Sequence, residues 1–210
     1  MKNKPSLLII GNSNVGKSSI TRLLLPNPKL FKGKTGKSPG STLLIKPIDQ
    51  PKLPYKIVDL PGFGYMKRSS RRREDHIKNQ IVIHIEKNHD NYFLGLVVIN
   101  ILRIEDEIEK YFNINKETIP LSFELIKFLK DLEIPILVII NKIDKLSNFD
   151  KNKAIDSFIE SASEFGLKMV HLESYKRNID DKVPYLVFSA LKKTNLNILK
   201  QIIHRSLQNT

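Results

Sequence analysis

The chain has no cysteine and no tryptophan. Without cysteine it can build neither a disulfide framework nor a thiolate metal site. Long apolar runs are missing too. The longest, residues 93–98 and 134–140, fall far short of the ~20 residues that a helix needs to cross a bilayer. The start, Met1-Lys2-Asn3-Lys4-Pro5, is basic, but the apolar stretch after it, residues 7–10, is too short for the core of a secretory signal. These absences point to a cytoplasmic protein with no membrane span. Acidic residues are also scarce, 22 Asp+Glu against 35 Lys+Arg, which leaves a formal charge of +13. Such an excess suits a polyanionic partner such as RNA; the competing reading is a surface of merely solvated lysines. No internal repeat or linker divides the 210 residues, so one domain with a substantial core is expected, 1–210.

The order of elements follows from apolar patterning. Short apolar runs at 6–10, 55–60, 94–100, 136–141 and 185–189 read as buried strands. Helical patterns lie at 18–25, 74–87, 121–132, 150–165 and 195–207, and 103–117 reads as part helical. Ile77, Ile81 and Ile85, four apart, share one helix face. Strands that alternate with helices predict an α/β chain: a three-layer, mostly parallel six-stranded sheet with helices on both faces. The sixth strand is expected at 43–48, running antiparallel beside 55–60. Residues 167–183 read as a polar connection. His84 and His89 have no partner at metal-ligand spacing and read as ordinary helix or loop residues.

Behind the first strand stands Gly11-Asn12-Ser13-Asn14-Val15-Gly16-Lys17-Ser18, a match to G-x-x-x-x-G-K-[ST]. Glycines let such a loop curl so that successive N–H groups face phosphate oxygens, and the helix that follows presents its positive end. Lys17 is suited to β- and γ-phosphates and the Ser18 hydroxyl to Mg²⁺. A chance Gly-rich turn would not need a strand before it and a helix after it. Asp59-Leu60-Pro61-Gly62 follows the next parallel strand; its carboxylate suits Mg²⁺ through a water, and the Gly62 N–H suits a γ-phosphate.

Base selection is legible further on. Asn141-Lys142-Ile143-Asp144 ends a buried strand. Asp144 can accept two hydrogen bonds from guanine, whereas adenine would leave a buried carboxylate unpaired. Asn141 would brace the loop, and the Lys142 stem would cover the ring. Ser189-Ala190 closes the last strand, with the Ala190 N–H available to guanine O6. The motifs together imply a P-loop GTPase fold that takes GTP and GDP. After DLPG, where a water-orienting Gln is placed in Ras-type enzymes, stands Phe63, so slow intrinsic hydrolysis is expected. Asn14 is one place from which a K⁺ held against the phosphates would supply the missing charge; the other reading is that Asn14 only shapes the loop.

With GNSNVGKSS ending at Ser19, SPGST spanning Ser38 to Thr42 with Gly40 inside it, DLPGFGYMK, and IPLSFELIKFLKDLEIPILVIINKIDK, the chain resembles the EngB (YihA/YsxC-like) GTP-binding proteins among the Era-like GTPases, and is similar to their archaeal branch. The resemblance implies Ser18 and Thr42 as Mg²⁺ ligands and Thr42 as the residue that senses nucleotide. It places Lys17, Thr42 and Gly62 around the γ-phosphate and extends the nucleotide contacts to Ser19 and Gly40. It also implies a role in large ribosomal subunit assembly, with cell division and septation attached to the family. The chain departs from the pattern at Val98-Ile99-Asn100, where many relatives end the strand on an acidic residue, and at 167–183.

Positive charge concentrates where γ-phosphate sensing is expected. Lys67, Arg68, Arg71, Arg72 and Arg73 follow DLPGFGY, and Lys29, Lys32, Lys34 and Lys37 precede Thr42. These residues read as an RNA-docking face arranged by GTP, with Phe63 and Tyr65 available to stack on a base. The expectation is therefore a monomeric, Mg²⁺-dependent GTP switch on ribosomal RNA or the large subunit. The rivals are a GTPase with a protein client and a basic RNA-binding module that holds guanine nucleotide structurally.

Overall fold

The computed structural model describes residues 4–31, 45, 47–62, 71–114, 119–175 and 181–209. The first strand, β1 (Ser6–Gly11), is buried along its whole length, as expected of a central strand covered on both faces. It leads into α1 (Lys17–Leu24). The chain then builds β2 (Lys56–Asp59), α2 (Arg71–Asn88) and β3 (Tyr92–Asn100), followed by two helices in succession, α3 (Ile104–Ile114) and α4 (Leu121–Asp131). After these come β4 (Ile136–Asn141), α5 (Asn148–Glu164), β5 (Lys168–His171), β6 (Lys182–Val187) and α6 (Leu196–Gln208).

The six strands order as β2-β1-β3-β4-β6-β5, and every neighbouring pair is parallel. Alternate residues of each strand feed opposite cores. Leu8 and Ile10 of β1 meet Ile81 and Ile85 of α2, Phe123 of α4 and Phe158 of α5 on one face. Leu7 and Ile9 meet Ile20 and Leu24 of α1 and Leu199 and Ile203 of α6 on the other. From β1 the order runs outward both ways, to β2 and to β3. This is the switch point of a doubly wound sheet, where loops from the carboxyl ends of the strands diverge and leave a crevice.

Two expectations need correction. The antiparallel strand at 43–48 is not among the six strands of the described residues. Antiparallel pairing there amounts to one bridge, Ile48 with Ile57, closed by N–H···O bonds of 2.7 and 3.0 Å. Residues 43, 44 and 46 lie outside the described residues. Pro47, beside the bridge, has no N–H with which to lengthen a ladder. The sixth strand is instead β5, inside the segment that read as a polar connection. It pairs with β6 over four residues at the sheet edge and is only partly covered. Edge strands are short and polar, so KMVH shows too little alternation to stand out. The helix expected from residue 150 starts at Asn148, because the Ser147 hydroxyl accepts the Asp150 N–H at 3.1 Å and caps it.

Candidate functional site

The loop between β1 and α1 is held from three sides. Gly16 has φ of +106°, a conformation that costs a residue with a Cβ dearly, and a Cβ there would run into the Asn141 side-chain amide. Asn141, at the end of β4 and 1% exposed, donates from Nδ2 to the Val15 carbonyl at 2.8 Å. Its Oδ1 accepts the Ala190 N–H at 3.0 Å. One buried amide thus ties the phosphate-type loop to the two loops expected to read a base. Lys142 is in the left-handed region, φ +71°, and its ammonium donates to the Asn14 carbonyl at 2.7 Å. Burial, then the charge of Arg103, push the Lys142 ammonium below its usual range. Ser189 donates to Asp144 at 2.5 Å and accepts the Lys192 N–H at 3.0 Å. Asp144, Ser189 and Ala190 therefore converge as the sequence order implied.

At the other end of the loop, Lys17 opens α1 and is 7% exposed. Its ammonium donates to the carbonyls of Gly11 at 2.9 Å and Asn12 at 2.7 Å. Burial pushes it down to about 8, against the opposing pull of Asp59. Asp59, the last residue of β2, accepts the Ser18 hydroxyl at 3.2 Å on Oδ2. Its Oδ1 is buried with no hydrogen-bond partner. Burial raises the carboxyl above its ordinary range, and the Lys17 charge and the Ser18 hydroxyl hold it down. Gly62 lies directly on the loop: a Cβ there would sit 2.6 Å from Ser13 Cα, and the Ser13 hydroxyl reaches the Gly62 carbonyl at 3.5 Å. Ser19 sits in the first turn of α1.

The structure thus gathers Gly11 to Ser19, Asp59, Gly62, Asn141, Lys142, Asp144, Ser189 and Ala190 at the carboxyl end of the sheet. Gly40, Thr42, Phe63, Tyr65, Lys67 and Arg68 lie outside the described residues, as do Lys32, Lys34 and Lys37. Arg71, Arg72 and Arg73 open α2. One contact had no signal in the sequence: Glu107 of α3 accepts the Asn12 side-chain amide at 3.2 Å, from 95 positions away. A hollow of 350 Å³ lined by His89, Asp90, Tyr92, Asp131, Leu132 and Glu133 opens at the opposite end of the strands. Among the described residues no helix is long and apolar enough to cross a membrane.

The model of a family described as 50S ribosome-binding GTPase matches residues 6–142. A probable GTP-binding protein EngB of Methanococcus aeolicus is 34% identical over 159 residues, which are 76% of this chain and 66% of that protein. Its counterpart in Methanococcus maripaludis is 30% identical over 184 residues, 88% of this chain and 74% of the relative. The chain belongs to the EngB family. The fold agrees as well: a crystal structure of a probable EngB GTP-binding protein superposes with a TM-score of 0.73 at 28% identity, covering 98% of this chain and 99% of that one. The aligned part is just short of two thirds of the Methanococcus aeolicus protein's length. The EngB likeness includes a six-stranded α/β P-loop GTPase fold, in which the strands described here are all parallel.

Proposed function

We propose that this EngB-family chain binds GTP and hydrolyses it slowly to GDP, as a nucleotide switch on the large ribosomal subunit during its assembly. The observation that supports this best is the presence of Lys17 and Asp59 together beneath the loop, each within the other's electrostatic influence. A buried ammonium faces backbone carbonyls, and a half-buried carboxylate has one oxygen enclosed without a partner beside a serine hydroxyl. Such an arrangement is costly to bury unless a ligand completes it. Lys17 would exchange its carbonyl partners for β- and γ-phosphate oxygens. The start of α1 and the loop N–H groups would take the rest of the phosphate charge.

The orphaned Asp59 Oδ1 and the Ser18 hydroxyl are hard oxygen donors of the kind Mg²⁺ selects, so the residues present fit that ion. Ser18 would bind it directly, Asp59 through a water, and Thr42 would complete the set. When bound, Mg²⁺ supplies charge neutralisation across the β- and γ-phosphate oxygens. Asp144 would accept the two guanine donors and Ala190 would donate to the base oxygen, while Asn141 holds both loops in register. The Gly62 N–H would face the γ-phosphate. With Phe63 in place of a water-orienting Gln, turnover would rest on charge supplied from elsewhere: a K⁺ near Asn14, or the ribosomal partner itself.

The basic segments at Lys67, Arg68, Arg71, Arg72 and Arg73 would be the RNA-facing side of the switch. Phosphate contacts of this kind give affinity that falls steeply with salt. The test is co-sedimentation with purified ribosomal subunits in GTP analogue, GDP and no nucleotide across a salt series. Binding to the large subunit is expected to be strongest with the analogue, and reversing the charge of Arg71, Arg72 and Arg73 should weaken it. Binding that ignores nucleotide and vanishes in modest salt would reduce the patch to nonspecific charge and favour a protein client.

A further inference from the structure

We propose that Glu107 is a positioning residue that fixes the phosphate loop and links it to the N-terminus of α4. The proposal rests on the GTP-binding reading above and adds to it a residue from outside every recognised motif.

Glu107 lies near the start of α3, one of two helices inserted between β3 and β4. Its two carboxylate oxygens point two ways. Oε2 accepts the Asn12 side-chain amide at 3.2 Å. Oε1 accepts both the Ser122 N–H at 3.0 Å and the Ser122 hydroxyl at 2.7 Å. Ser122 is in the first turn of α4 and is buried, 8% exposed. Its N–H is one of the donors that a helix start leaves without an intrahelical partner. The carboxylate therefore caps α4 from another helix and spends its remaining oxygen on the loop.

Asn12 is the matching half of the link. Its side chain is held by Glu107 while its own carbonyl accepts the Lys17 ammonium at 2.7 Å. A continuous line of hydrogen bonds thus runs from Lys17 through Asn12 and Glu107 to Ser122. When Lys17 turns to a phosphate, the Asn12 carbonyl loses its charged partner. Glu107 then remains to keep Asn12, and with it the direction of the neighbouring N–H groups, in place. A change at the loop reaches the two inserted helices through the same carboxylate. Ion-assisted bonds of this type are the stronger ones in proteins. The α3–α4 start is fastened to the core by Ile104 and Phe123, both buried, so the pin acts on a firm support.

The experiment compares Glu107→Ala, Glu107→Gln, Asn12→Ala and the Glu107→Ala/Asn12→Ala double variant in the full chain. The readouts are GTP and GDP affinity, single-turnover hydrolysis, and amide exchange at residues 119–125 with and without GTP analogue. Wild-type binding of GTP, and its loss in Lys17→Ala, report on the nucleotide site itself and stand apart from this proposal. With Glu107→Ala, GTP affinity is expected to fall about tenfold. The double variant should be no weaker than the weaker single one, because both remove the same link. In the wild type, GTP analogue should slow exchange at 119–125, and in Glu107→Ala that response should disappear. Glu107→Gln keeps an acceptor for Ser122 and should retain the α4 cap while losing part of the affinity; it also serves if the alanine variant fails to fold. Affinity within twofold of wild type in both Glu107 variants would overturn the proposal. So would losses that multiply in the double variant, or a GTP-dependent exchange change that survives Glu107→Ala.

Discussion

Replacing Asn141 by Asp changes one atom of a fully buried side chain, and the structure fixes what that atom does. Nδ2 donates to Val15 O at 2.8 Å, and Oδ1 accepts from Ala190 N at 3.0 Å. An ionised carboxylate keeps the second bond but turns the first into two acceptors face to face in a buried site. An unsatisfied buried partner costs about 1–3 kcal/mol, more beside a charge. A loss of about 3 kcal/mol is therefore expected at pH 8, or roughly 10 °C in melting temperature for a chain of this size. The introduced carboxyl can recover the bond by taking a proton and donating to Val15 O. Its folded-state pKa must then rise above the unfolded value of about 4. Between these two values the folded protein binds more protons than the unfolded one, so stability falls as pH rises through that window and returns as pH is lowered. Urea denaturation of wild type, Asn141→Asp and Asn141→Ala at pH 5 to 8 checks this, each curve referred to wild type at the same pH. The alanine variant loses both bonds and should be destabilised by about 3–4 kcal/mol with no such pH dependence. An aspartate variant within 0.5 kcal/mol of wild type at pH 8, or one parallel to alanine across the range, would refute the account of Asn141 as the strut between the loops.

Three further outcomes follow from the site. With Lys17 pushed down to about 8, nucleotide affinity should be full below that pH and roughly fourfold weaker at pH 8.5 than at pH 7; fluorescent-GDP titrations that stay flat from pH 7 to 9 would contradict its burial. Gly62→Ala would place a Cβ 2.6 Å from Ser13 Cα, backbone that can give way only by moving the loop, so GTP-analogue affinity should fall at least tenfold while urea stability changes by less than about 2 kcal/mol; unchanged affinity in equilibrium dialysis would show that the loop is free to shift. Asp144→Asn should exchange guanine for xanthine selectivity by about a hundredfold or more in competition binding, since the acceptor becomes a donor; preserved GTP preference would place base selection elsewhere.

The loops proposed to hold the nucleotide are legible in the sequence because their chemistry is local. Gly11 to Ser18 are contiguous, and each remaining motif ends an apolar run, so periodicity alone placed Asp59, Asn141 and Ser189 at the same ends of parallel strands. The alternation of strand and helix fixed the layer order for the same reason: a strand buried on both faces leaves an apolar run that composition makes visible. What escaped reading was decided between distant segments. β5 is a strand because β6 offers it a free edge, although its own four residues carry no clear pattern. The segment at 43–48 showed an apolar run, yet among the described residues its pairing is the single Ile48–Ile57 bridge. Glu107 stands in an acidic helix turn like its neighbours Glu105 and Asp106, and no spacing rule sets it apart. Only the packing of α3 against the loop and the start of α4 brings its two oxygens to Asn12 and Ser122. The sequence by itself determined the ligand chemistry, since that depends on residue type within a short loop. The tertiary structure decided which carboxylates are buried, paired or left with an open oxygen, since those depend on chain segments dozens of residues apart meeting in one place.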